Sequence, residues 1–230
     1  MMNAGKNSNF GRYRQELAQF IARGGWKLLA KGDAWALREL PENISPRMVR
    51  SVTLSTMHGC PPDEIESICR YMLTEKNLHT YVKLNPTLLG YARVRAILDG
   101  NGFDYISLSE ESFSHDLQAE QALEMLTRLI ALGAEKKLSF GVKLTNTLGA
   151  RNHKGVLPGD EMYMSGRALF PLSINVAAML SRHFDGRLPI SYSGGASQFN
   201  IVDIFSAGIR VIEFAVGAAR EEVIAKRTVA

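Results

Sequence analysis

The pattern that begins at Arg50 constrains this chain more than any other feature. Short β-branched or apolar runs alternate with helical segments: Val52–Thr56 then Asp63–Thr74, Thr80–Leu84 then Leu89–Asp99, and Tyr105–Leu108 then Leu117–Lys136. The series continues with Ser139–Thr145 and Leu169–Phe184, Pro189–Ser193 and Asn200–Ala207, and Val211–Val216 and Ala219–Lys226. Strands that are apolar almost throughout are covered on both faces, so the alternation predicts a parallel sheet packed against helices. Six such units are visible in the sequence, where a closed (β/α) barrel has about eight. The expected fold class is α/β, a partial TIM (β/α) barrel of the phosphate-binding kind that lacks its first strands. An open doubly wound sheet is the alternative arrangement.

Residues 1–49 read differently. Phe10, Tyr13, Leu17, Phe20, Ile21 and Leu28 recur at helical spacing. Asp33–Leu40 reads as a second short helix stopped by Pro41. The expected organisation is a helical lead-in over residues 1–49 and a partial barrel over residues 50–230.

One internal echo carries weight. Val82-Lys83-Leu84-Asn85-Pro86-Thr87-Leu88 is repeated in outline by Val142-Lys143-Leu144-Thr145-Asn146-Thr147-Leu148, an offset of 142 − 82 = 60 residues. That distance suits two β/α units, and each copy places a lysine on a strand with polar residues just past it, where barrel active sites lie. A lysine among apolar strand neighbours is costly unless paired or functional. Lys83 and Lys143 are therefore candidates for a Schiff base, a phosphate contact or a place beside a cofactor ring, with a salt bridge to Glu110 or Glu111 as the plain alternative. Asn85, Asn146 and Thr147 offer donors and acceptors to the polar edge of a planar ring, although such residues also form ordinary turns.

Glycines mark a second kind of site. Ser193-Gly194-Gly195 follows a strand and precedes a helix, an arrangement that brings backbone N–H groups to a phosphate, with a tight turn using glycine's φ freedom as the plain alternative. Ser165-Gly166 opens the preceding helix in the same way, as a second anion contact or a plain helix start. His58-Gly59-Cys60-Pro61-Pro62 also lies between strand and helix, where a helix N-terminus can acidify a thiol; Cys60 is a candidate catalytic acid or nucleophile, with an inert loop cysteine as the plain alternative. Cys69, beside Ile65 and Ile68, reads as core. Residues 150–165 read as a long polar loop able to act as a lid.

Composition narrows the function. Cys60 and Cys69 are the two cysteines, too few for an iron–sulfur cluster held within the chain. Lys6, Arg12, Arg14, Arg23, Lys27 and Lys31 form a basic stretch broken only by Glu16. With no nucleic-acid-binding motif beside it, that stretch reads as a solvated helix face or a surface that meets another domain rather than a nucleic-acid surface. No apolar run approaches the roughly 20 residues of a membrane span, so no membrane span and a cytoplasmic location are expected.

The runs Ser55-Thr56-Met57-His58-Gly59-Cys60-Pro61-Pro62, Tyr81-Val82-Lys83-Leu84-Asn85-Pro86, Lys143-Leu144-Thr145-Asn146-Thr147 and Ser191-Tyr192-Ser193-Gly194-Gly195 resemble a known family. It is the selenate-reductase-type subunit of enteric bacteria, whose barrel is similar to dihydroorotate and dihydropyrimidine dehydrogenases. The resemblance runs from roughly Phe10 to Arg210. It implies an aldolase or FMN-binding type of barrel within a multidomain oxidoreductase. FMN would be held by this chain, and iron–sulfur clusters and FAD or NAD(P)H by other domains. Partners would be further redox domains or subunits, a molybdenum-containing one among them. By the same resemblance Lys83 contacts the flavin ring and Asn146-Thr147 matches an Asn-Thr pair of a later strand. Ser165-Gly166 matches the serine–glycine before the next helix, Gly194 and Gly195 the glycines around the flavin phosphate, and Cys60 the proton-donating cysteine of some relatives. Two departures stand out: the family's earlier barrel strands are absent here, and residues 211–230 diverge from its phosphate loop. A fragment, inactive and weak in flavin binding by itself, is the corresponding expectation. A Schiff-base aldolase and an inactive scaffold that docks redox partners are the rival readings.

Overall fold

The computed structural model describes residues 8–25, 40–44, 49–56, 58–155 and 158–212. The chain divides into two compact units, Met1–Arg50 and Ser51–Ala230. In the first, helix α1 (Ser8–Phe20) ends in a wide turn, Ile21–Gly25, where Gly24 takes a positive φ of 86°. Arg14 Nε donates to the Pro41 carbonyl at 2.7 Å, tying α1 to the short helix α2 (Leu40–Asn43). Most of the expected Asp33–Leu40 helix lies outside the described residues.

The second unit is a curled, five-stranded parallel sheet, a half-barrel. Its strands are β1 (Ser51–Leu54), β2 (His79–Leu84), β3 (Phe140–Leu144), β6 (Ile190–Tyr192) and β7 (Val211–Ile212), adjacent in chain order. A doubly wound sheet would reverse its order part-way, and this one does not. The expected barrel class holds, and the open-sheet alternative falls. Of the last expected unit, Val211–Ile212 forms a strand, while residues 213–216 and Ala219–Lys226 lie outside the described residues.

Helices α3 (Pro62–Thr74), α6 (Ala119–Lys136) and α7 (Phe170–His183) cover one face of the sheet. Proline at the first position and Asp63 and Glu64 in the first turn favour the start of α3. Its Ile65, Cys69 and Leu73, spaced by four, are buried against the sheet. Helix α6 starts with a reciprocal Gln118–Gln121 cap and buries Ala122, Met125, Leu126 and Leu129. Val82, Leu84, Val142 and Leu144 complete this core from the strands. Because side chains alternate along a strand, Tyr81, Lys83, Gly141 and Lys143 belong to the opposite face. A side chain at Gly141 would run into the Tyr81 ring at 2.6 Å, which places those two together there.

Two expectations are corrected. Tyr105–Leu108 is not a strand: β2 pairs directly with β3. Arg95, from helix α4 (Tyr91–Gly100), takes up the Phe103 and Ile106 carbonyls, and Arg151 N donates to the Ser107 carbonyl at 2.8 Å. With its carbonyls so engaged, the segment packs Ile106 and Leu108 into a second core with Val94, Leu98, Phe113, Leu148, Leu169 and Leu172. The 60-residue echo therefore spans one step across the sheet, not two. The expected polar loop over residues 150–165 instead contains most of an antiparallel hairpin, β4 (Leu148–Arg151) with β5 (Glu161–Met164). No helix among the described residues is long and apolar enough to cross a membrane.

Candidate active site at the strand ends

Register brings the two echo motifs face to face. Lys83 pairs with Lys143 and Leu84 with Leu144 across β2 and β3, and Lys143 pairs in turn with Ser191 on β6. One row across the sheet thus runs Lys83, Lys143, Ser191. Both lysines are half-buried.

Just beyond the strands, Asn146 Nδ2 donates to Asn85 Oδ1 at 2.7 Å and Asn146 N to the Leu84 carbonyl at 2.8 Å. Ser55 Oγ donates to Asn146 Oδ1 at 3.2 Å, so the ends of β1, β2 and β3 share one network. Thr147, half-buried, follows Asn146.

The network continues to a residue that sequence reasoning missed. Asp116, between helices α5 (Glu110–His115) and α6, is 4% exposed. Its Oδ2 accepts from Thr87 Oγ1 at 2.8 Å and Asn85 Nδ2 at 3.1 Å, and lies 3.0 Å from His58 Nδ1. Its Oδ1 accepts from Gly59 N at 2.9 Å. Burial pushes this carboxyl up, but the bonds from His58, Thr87 and Gly59 outweigh that and hold it below the usual range. The bond to Asp116 raises the His58 imidazole against the effect of burial. A single aspartate in a short interhelical link carries no motif. The available signal was Thr87, whose buried hydroxyl needs a partner.

His58 stacks on Tyr163 of the hairpin, with ring centroids 5.8 Å apart and planes 24° apart. The pair borders a cavity of about 470 Å³, also lined by Ser112, His115, Asp116 and Glu161.

Cys60 is close to this network, lining a narrow crevice with Thr56, Lys83, Asn85 and Asp116. Acidification by the helix N-terminus is not found: burial first, then Glu64 and Asp63, push the thiol up. Such a group stays protonated and suits an acid better than a nucleophile. Cys69 is fully buried and is pushed up to about 12, as a core residue.

The glycine motifs meet each other. A side chain at Gly195, whose φ is +77°, would lie 2.6 Å from Phe170 N and 2.7 Å from the Gly166 carbonyl. One at Gly194 would fall 1.9 Å from Ser173 Oγ, which itself lies 2.7 Å from Thr145 Oγ1. Ser193 N and Gly194 N donate to the Leu144 carbonyl at 2.7 and 3.0 Å, and Gly195 N to the Ser193 carbonyl at 3.0 Å. Gly194 and Gly195 are thus needed where the strand end meets the start of α7. Ser165 and Gly166 are exposed at that junction.

A parallel half-barrel with helices on its outer face and polar and cationic residues gathered at its carboxyl ends is a TIM-barrel domain. The family model described as "Oxidoreductase YgfK, N-terminal TIM-barrel domain" matches residues 1–222, and the chain belongs to that family. Two curated relatives, each named "Putative oxidoreductase YgfK", come from Escherichia coli strain K12 and from Escherichia coli O157:H7. Each is 66% identical over 221 residues, covering 94% of this chain and 21% of the relative. The chain therefore spans about a fifth of the length of the curated relatives it matches, and is similar to one domain of a larger oxidoreductase.

Proposed function

We propose that this chain is the flavin-type barrel of a larger oxidoreductase, and that it holds FMN at its strand ends. The observation that carries the reading is the in-register pair Lys83–Lys143, just short of the hydrogen-bonded Asn85 and Asn146. Adjacent strands lie about 4.8 Å apart, so the two lysines make a local cationic surface. A cation beside a reducible ring stabilises its reduced, anionic form. Beyond their bonds to each other, Ser55 and Asp116, the two side-chain amides each have a second amide hydrogen and a second oxygen lone pair, which suits the mixed polar edge of such a ring.

The donor set fits the ring side of the cofactor. On the phosphate side the N–H groups of Ser193, Gly194 and Gly195 are already engaged with carbonyls. Ser165, Gly166 and Thr147 are then the better contacts, with Gly194 and Gly195 shaping the turn behind them. When bound, flavin would supply one- and two-electron transfer. Lys83 and Lys143 would set its charge balance, Asn85 and Asn146 its orientation, and Cys60 would hold a proton nearby. Iron–sulfur clusters, with FAD or NAD(P)H, belong to other domains of the whole protein in this reading. Among the described residues no cluster of His, Cys, Asp and Glu is arranged to hold a metal. A selenate-reductase-type electron path and a molybdenum-containing partner come with the resemblance and are part of the same proposal, as is a cytoplasmic setting.

The test is titration with FMN, in which weak binding is still read, followed by spectroelectrochemistry of the loaded chain. We expect Lys83→Ala to lose flavin or to lower the reduction potential of what remains. Retention and potential unchanged in the Lys83→Ala/Lys143→Ala double variant would remove the basis of the assignment.

A further inference from the structure

The cavity between the β4–β5 hairpin and the α5–α6 link is a separate feature from the lysine row, and the flavin reading gives it no role. Its wall carries a histidine whose Nδ1 is fixed by a buried carboxylate, at 3.0 Å from Asp116 Oδ2. That carboxylate is itself held by Thr87, Asn85 and Gly59. Stacking on Tyr163 restrains the imidazole plane. With Nδ1 committed, Nε2 is the ring atom left for a ligand, and His58 lines the cavity with its side chain 34% exposed. A base whose tautomer and orientation are set by a second group is the arrangement that proton-transfer sites require.

We propose that His58 is a general acid–base group, positioned by Asp116, acting on a small molecule bound in this cavity. At about 470 Å³ the space is of ligand size. The charged and titratable groups facing His58 are Asp116 from the interhelical link, His115 from α5, and Glu161 and Tyr163 from β5. Two carboxylates in that set disfavour an anion. The cavity suits a small neutral molecule bearing N–H or O–H donors for Glu161 and an acidic C–H, N–H or O–H near His58. The proton passes from the ligand atom to Nε2, its bonding pair stays on the ligand, and the imidazolium so formed remains bonded to Asp116. The reverse transfer makes the same group an acid.

The probe is 5-nitrobenzisoxazole, whose carbon-bound proton is removed by a base as its N–O bond breaks to give a cyanophenolate. The 230-residue chain should accelerate this elimination over buffer, with a sigmoidal rise on deprotonation of His58. His58→Gln should cut the protein-dependent rate by about tenfold or more, while His153→Gln, outside the cavity, should not. Asp116→Asn should move the midpoint to lower pH. Thermal unfolding of each variant is recorded beside the rates, and His58→Gln, at a half-exposed position, is the decisive one. No acceleration by the unmodified chain, or an unchanged rate and pH profile in a folded His58→Gln variant, would overturn the proposal. Asn85 borders both sites through its bond to Asp116, so FMN binding is measured in the same His58→Gln variant: loss of elimination with FMN binding kept separates a failure of this proposal from a failure of the flavin reading.

Discussion

Lys83 and Lys143, 60 residues apart in sequence, are direct register partners on neighbouring parallel strands. Residues in contact act together, so their effects on a shared ligand should not add. A double-mutant cycle on FMN affinity, using Lys83→Ala, Lys143→Ala and both, is expected to show an interaction of about 0.5 kcal/mol or more. Strictly additive losses would mean that the two lysines do not share one ligand.

Asp116 and His58 give the unit a defined pH response. The folded Asp116 carboxyl titrates below its unfolded value. Its contribution is therefore complete above about pH 4 and is lost as acid protonates the folded form. His58 is raised, so its contribution is complete below about pH 6.5 and is lost as pH climbs through the folded value. Stability from this pair should peak between those limits. Urea unfolding from pH 4 to 9 should show a decline on the alkaline side that His58→Gln abolishes. Asp116→Ala, which strands buried donors, should cost about 2–4 kcal/mol.

Gly194 and Gly195 test packing before ligand binding. In Gly194→Ala the new methyl group would sit 1.9 Å from Ser173 Oγ and 2.6 Å from its Cβ. Overpacking of this kind costs about 1–3 kcal/mol, and more when the neighbour cannot move. The denaturation midpoint should fall without any ligand present, and Ser173→Gly in the same chain should recover part of it. An unchanged midpoint would show that the junction of β6 with α7 is looser than described.

Cys60 should alkylate slowly. An unperturbed thiol is roughly a few per cent thiolate at neutral pH, and burial with Glu64 and Asp63 reduces that fraction here. Iodoacetamide labelling read by mass spectrometry should be slower than for a free cysteine and faster in Glu64→Gln. Cys69 should label only on unfolding.

The barrel class was legible because nearly continuous apolar strands alternate with amphipathic helices, a pattern that local chemistry controls. The lysine and asparagine echo was legible for the same reason, since strand ends in a barrel converge. Tyr105–Leu108 misled because a short apolar run looks the same whether it enters a sheet or a satellite core, and distant Arg95 and Arg151 decide between them. The hairpin was hidden by the polar residues between its strands. Asp116 was invisible because its importance lies entirely in tertiary partners: Thr87 at 29 residues and His58 at 58. The glycine pair was legible as a strand-to-helix turn or phosphate loop, but the close approach of Ser173 and Phe170, which also requires glycine there, depends on tertiary packing.

Amide chemical-shift mapping asks whether the ends of β2 and β3 hold the flavin ring. FMN is titrated into the 15N-labelled chain and shifts are followed residue by residue. Saturable perturbations are expected to concentrate at Lys83, Asn85, Lys143, Asn146 and Thr147, with weaker ones at Ser165 and Gly166. Perturbations that gather elsewhere, or none that saturate, would contradict a flavin site at these strand ends.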